Sequence, residues 1–132
     1  MDETGERARA VQIVHKELSF EIVSAAMEVH KYLGPGFTEN IYEEALCREF
    51  ELRNIPFERQ ALIDVAYKGH PVGNYRLDLS VDKKIIVELK AVSQMPEDFE
   101  HKLHSYLKAT KLKLGLLINF GKKSLEYKRI VK

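Results

Sequence analysis

The chain has 132 residues, 45% of them apolar and 31% charged, with a formal net charge of +1 and one cysteine. That size and mixture suit one domain around one hydrophobic core and exclude a disordered tail, a collagen-like repeat and a disulfide scaffold. No run of about 18 apolar residues is present to span a membrane, and the opening MDETGERARAVQIVHKE mixes acids and bases where a signal peptide would be apolar. We therefore expect a cytoplasmic protein with no membrane partner. Cys47 has no second cysteine for a disulfide or a cysteine-based zinc site, and reads as a small core residue. The small net charge hides an asymmetry: residues 1–82 carry 9 Lys+Arg against 15 Asp+Glu, a net −6, while residues 83–132 carry 12 against 5, a net +7. A solvated lysine surface and a patch for phosphates both fit that pattern.

An N-terminal extension is expected over residues 1–16 and a single domain over 17–132. Leu18, Ile22, Ala25, Ala26, Val29 and Leu33 recur at helical spacing, with Glu21, Ser24, Glu28 and Lys31 opposite, which predicts an amphipathic helix of about 16 residues. Gly34-Pro35-Gly36 ends it, because proline cannot continue the hydrogen-bond ladder. Following a helix and lacking a lysine, this segment is a helix stop rather than a phosphate loop. Thr38 is the predicted N-cap of a second helix running to about Arg53 and burying Ile41, Ala45, Leu46 and Phe50.

From Ala61 the period changes. ALIDVAY reads as a strand, Lys68-Gly69 as a turn, Tyr75 to Val81 as a second strand and KIIVELKAV as a third. Pro96-Glu97-Asp98 opens a helix with Phe99, Leu103, Tyr106 and Leu107 inward. LGLLINF has the unbroken apolar character of a strand covered on both faces, and LEYKRIV suits an edge strand. The expected class is α/β, one domain with a central mixed β-sheet flanked by helices. His30 is expected to cap the first helix or lie in the core. His101 and His104 lack a third ligand, so no zinc site is expected. The absence of G-x-S-x-G and of paired cysteines leaves acyl transfer and thiol redox chemistry without support.

Glu88 and Lys90 are two apart on a strand and share a face, opposite Val87 and Leu89. Pairing Val81 with Ile85, Leu79 with Val87 and Leu77 with Leu89 gathers six apolar side chains on one face and sets Asp78 opposite Glu88, through a three-residue loop at Asp82-Lys83-Lys84. Two facing carboxylates repel. Lys90 offsets that repulsion as a structural ion pair, or a divalent cation does so between Asp78 and Glu88.

Asp78 followed by Glu88-Leu89-Lys90 on the next strand resembles the PD-(D/E)XK nuclease signature. The surrounding blocks sharpen it. They are His30-Lys31-Tyr32-Leu33-Gly34-Pro35-Gly36, the G-x-x-E-x-x-Y run from Gly36 through Glu39 to Tyr42, Tyr75-Arg76-Leu77-Asp78, Ile86 to Val92, Ser105-Tyr106-Leu107 and Gly115 to Phe120. Together they resemble the GxxExxY family of that superfamily over residues 17–120. The resemblance implies a restriction-endonuclease-like core and Mg²⁺- or Mn²⁺-dependent hydrolysis of phosphodiester bonds, with DNA the expected partner. It implies Asp78 and Glu88 as metal ligands, joined by the Leu89 carbonyl and by Glu39 directly or through water, and Lys90 as the residue that orients or activates water. Lys102 stands where the family often has glutamine. With Tyr42 and Tyr106 it is a candidate for supporting the site or touching substrate. The competing reading is a non-catalytic nucleic-acid or protein-binding module that keeps the fold, and a homo-oligomer is compatible with either.

Overall fold

The computed structural model describes residues 14–132, so most of the extension expected over 1–16 lies outside the described residues. Two helices come first, α1 (Lys16–Leu33) and α2 (Glu39–Leu52). Three strands follow, β1 (Phe57–Tyr67), β2 (His70–Val81) and β3 (Ile85–Lys90), then α3 (Asp98–Thr110), β4 (Leu114–Asn119) and β5 (Glu126–Val131). The strands lie side by side in chain order, and every neighbouring pair is antiparallel except β3 and β4. That parallel pair needs a crossover, which α3 supplies.

The helices form two layers around the sheet. Ile22, Ala26, Leu46 and Phe50 of α1 and α2 pack on Leu79, Val87, Leu116 and Ile118, while Leu103 and Leu107 of α3 pack on Leu77, Ile86, Leu117 and Ile130. Every residue of β4 is consequently buried, which is why LGLLINF shows no alternation. On α2 the expected burial of Ile41 does not occur, and it is exposed while Tyr42 is buried in its stead. The Tyr42 ring stacks on Phe120 with centroids 4.6 Å apart. Its hydroxyl donates to the Gly34 carbonyl at 2.5 Å and accepts from the Phe37 N–H at 3.2 Å. Tyr42 therefore ties down the loop between α1 and α2 and does not face the candidate site. Only a full helical face, placed against its neighbours, distinguishes it from Ile41.

The first hairpin is longer than the apolar pattern indicates. Lys68 and Gly69 both take left-handed angles, as a two-residue hairpin turn requires, and both strands run on to meet it. Of β2, only Leu79, Ser80 and Val81 pair with β3, so the outer part of the hairpin stands beyond the third strand with Leu62, Val65, Tyr67 and Val72 exposed. The second hairpin has the expected three-residue loop. Asp82 and Lys83 supply its left-handed angles without a glycine, and the Lys84 N–H donates to the Val81 carbonyl at 3.0 Å.

The end of β3 is clamped from β4. The Asn119 side chain accepts from the Val92 N–H at 3.0 Å and donates to the Val92 carbonyl at 2.9 Å, and the Phe120 N–H donates to the Lys90 carbonyl at 2.8 Å. Gly121 is pressed against this segment, where a Cβ would strike the Val92 backbone N and O. Rigid backbone cannot yield as a side-chain tip does, so Gly121→Ala is expected to lower stability by about 2 kcal/mol in urea unfolding. An unchanged midpoint would mean that the clamp is loose.

Candidate functional site

The site begins where the β1–β2 ladder skips a pair, at Gln60 of β1. Pairing between β1 and β2 passes from Arg59 with Leu79 to Ala61 with Leu77, omitting Gln60 and Asp78, and Gln60 has φ of 51°. One irregular residue breaks the two-residue alternation of side chains. Leu79 and Val81 thus face α1 and α2 as expected, but Leu77 joins the cluster under α3, and the six-residue apolar face loses that member.

The β2–β3 ladder contains the predicted pairs Val81 with Ile85 and Leu79 with Val87, and stops there. At the next position side chains take over from backbone. The Asp78 N–H donates to Glu88 Oε1 at 3.1 Å, and the Leu89 N–H donates to Asp78 Oδ2 at 2.8 Å. The two acids therefore meet in the gap between the strands, joined through each other's backbone. Glu88 is only 5% exposed.

Lys90 does not neutralise them by an ion pair. Its Nζ lies over the Phe99 ring, 4.4 Å from the centroid, and no salt bridge among the described residues reaches either carboxylate. Burial first, and then the neighbouring Asp78 charge, push the Glu88 carboxyl up to about 8. Burial likewise raises Asp78, against the opposing hydrogen bond from Leu89, with Glu43 adding to the rise. Carboxylates this close, one buried and one half-buried and neither in a salt bridge, hold a proton or attract a mobile cation.

Each acid opens on a different side. Asp78 lines a cavity of about 200 Å³ with Glu39, Asn40, Glu43, Gln60 and Leu89, beneath the start of α2. Glu88 and Lys90 line a recess of about 40 Å³ with Tyr75, Phe99, Lys102, Tyr106 and Leu117, beneath α3. Of the residues singled out in the sequence, Glu39 and Leu89 are thus grouped with Asp78. Lys102 and Tyr106 are grouped with Glu88 and Lys90, and Tyr42 with neither. Lys102 Nζ is 3.9 Å from Asp98 and 6.0 Å from the Phe99 centroid.

Glu43 was missed in the sequence. It is 7% exposed and accepts from Arg59 Nη2 at 2.9 Å and Gln60 Nε2 at 3.1 Å, so it anchors the irregular stretch of β1 beside Asp78. Its signal was present, since it follows Glu39 by four residues on one helix face. Cys47 lies in the core, where burial pushes its thiol up to about 11. His30 is buried and its Nε2 donates to the Lys122 carbonyl at 2.8 Å.

Among the described residues no three acidic, histidine or cysteine side chains converge as a ready metal cage. Two carboxylates still suit a small hard cation, because Mg²⁺ commonly takes one or two protein carboxylates and keeps several waters. The cavity beside Asp78 gives such a hydrated ion room.

The crystal structure of SSO0001 has the same fold, with a TM-score of 0.53 at 17% sequence identity over 94% of this chain. This chain spans 61% of the length of that one. No curated protein matches the sequence significantly. The family model of the PD-(D/E)XK nuclease superfamily matches residues 16–130, from the first residue of α1 into β5. That stretch contains the acids meeting at the end of the β2–β3 ladder and the lysine two residues beyond, and the chain belongs to the PD-(D/E)XK nuclease superfamily.

Proposed function

We propose that this protein is a cytoplasmic nuclease of the GxxExxY family that hydrolyses phosphodiester bonds in DNA with Mg²⁺ or Mn²⁺. One observation carries the reading: a half-buried and a buried carboxylate, Asp78 and Glu88, both with raised pKa, meet between β2 and β3 without a salt bridge, while the lysine on the strand of Glu88 is held on an aromatic ring nearby. In this reading Asp78, Glu88 and the Leu89 carbonyl hold the cation, with Glu39 contributing directly or through water. The cation would polarise a phosphoryl oxygen and lower the pKa of a bound water.

The chain's own residues do the rest. Lys90 has only donors, so it acts as a charge rather than a ligand and stabilises negative charge building on the phosphate or orients water. Phe99 holds that ammonium without neutralising it, as a carboxylate partner would. Glu43, tied to Arg59 and Gln60, fixes the backbone that presents Asp78.

Calorimetric titration with Mn²⁺ is expected to show one bound ion in the wild type, lost in Asp78→Ala and in Glu88→Ala. Glu39→Ala should weaken it by about tenfold, as expected for a ligand acting through water. The wild type should cleave DNA with either metal and stop in EDTA. Unchanged Mn²⁺ affinity in both strand variants would exclude the site.

A further inference from the structure

The recess under α3 holds aromatic surface for which the metal chemistry has no use. Tyr75 stacks on Tyr106 with centroids 4.2 Å apart and planes 20° from parallel. Tyr106 is half-buried in α3, and its phenol pKa is raised by burial and then by a hydrogen bond with Tyr75. Tyr75 is therefore held from one side by an anchored ring, yet it is 38% exposed. The third ring of the recess, Phe99, already carries Lys90 at 4.4 Å and Lys102 at 6.0 Å.

A nucleotide joins a flat π face to an anion. This recess sets a rigid, exposed ring beside the ammonium groups of Lys90 and Lys102, so it is complementary to both parts. Resting on the nuclease reading for the identity of the neighbouring site, we propose that Tyr75 is a stacking platform for an unpaired base and that the substrate is a single nucleic-acid strand.

Closed duplex offers base edges in its grooves and hides base faces in the stack, so Tyr75 would have nothing to stack on. The recess, at about 40 Å³, is too small to swallow a base flipped out of a duplex. A strand lying across its mouth can rest a base on Tyr75 while an adjacent phosphate meets Lys102. Holding Tyr75 on Tyr106 before binding reduces the entropy lost when the base docks.

The test is fluorescence anisotropy of the full chain with a labelled single-stranded oligodeoxynucleotide and its blunt duplex, in EDTA to prevent cleavage. The single strand should bind more tightly than the duplex. Tyr75→Ala should weaken single-strand binding about tenfold or more, and Tyr75→Phe, which keeps the ring, should bind as the wild type does. Unchanged single-strand affinity in folded Tyr75→Ala, or tighter binding of duplex, overturns the proposal.

Because losing Tyr75 also unstacks Tyr106, a second measurement uses the wild type alone, photocrosslinked to a strand carrying 5-iododeoxyuridine. An adduct on Tyr75 is expected, and adducts confined to other residues overturn the platform. Hydrolysis is scored separately. A Tyr75 adduct without cleavage keeps the platform and removes the nuclease, cleavage of duplex indifferent to Tyr75 does the reverse, and failure to bind either nucleic acid removes both.

Discussion

Lys90→Met is expected to cut metal-dependent DNA hydrolysis by about a thousandfold while leaving Mn²⁺ affinity within about twofold. The separation follows from chemistry, since an ammonium cannot ligate a cation and its contribution is charge near the reacting phosphate. Methionine keeps an unbranched chain of similar length, and its sulfur packs well against an aromatic ring, so it can occupy the place over Phe99 that Lys90 holds. The fold and the carboxylates should therefore persist. Single-turnover cleavage and calorimetry on wild type and variant purified in parallel measure both quantities. Equal trace cleavage in the two preparations would assign it to a contaminant and turn the reading to a binding module without turnover.

Glu88→Gln is expected to stabilise the metal-free protein at pH 8 by a few kcal/mol, an effect absent at pH 4. The sign follows from where the proton sits. In the unfolded chain the carboxyl has its ordinary value of 4.5, whereas in the fold burial and the Asp78 charge push it up to about 8. Between those values the native state binds the extra proton. Stability from this group is therefore complete below the unfolded value and is lost as pH rises through the folded one. Glutamine carries no charge to desolvate and still accepts the hydrogen bond that Glu88 takes from Asp78.

Thermal unfolding from pH 4 to 9 should show the wild type falling relative to the variant above about pH 5. Mg²⁺ should restore the wild type alone, because a cation that binds only the native state stabilises it by mass action. A constant difference across pH would mean that Glu88 is not strained by its surroundings. Loss of the Mg²⁺ effect without loss of the pH effect would place the cation elsewhere.

The order of elements and the second hairpin's register were legible in the chain. Both rest on local periodicity: 3.6 residues for α1 and α3, an unbroken apolar run for β4, and alternation that aligns Leu79 with Val87 and Val81 with Ile85. A one-residue slip would have put charge into the core, so the apolar pattern gave the register as far as Leu79 with Val87. The expected pair of Leu77 with Leu89 does not form, and Asp78 and Glu88 meet through the backbone N–H groups of Asp78 and Leu89 while opening into different recesses instead of sharing one face.

Other features came from contacts between residues far apart in the chain. The left-handed angle at Gln60 lies across from Asp78, breaks the alternation of β2 and carries Leu77 to the other layer. No pattern within β2 itself announces it, because its cause is a partner strand bonded to Glu43 on α2. Whether Lys90 would pair with the acids or leave them to a cation was open in the sequence. The position of α3 over the sheet decided it by setting Phe99 beneath the ammonium. Sequence by itself determined which residue types lie near one another along strands and helices, since backbone geometry repeats with a known period. Tertiary structure alone decided which charges remain unmatched and which rings stay exposed, since those depend on how separate elements pack.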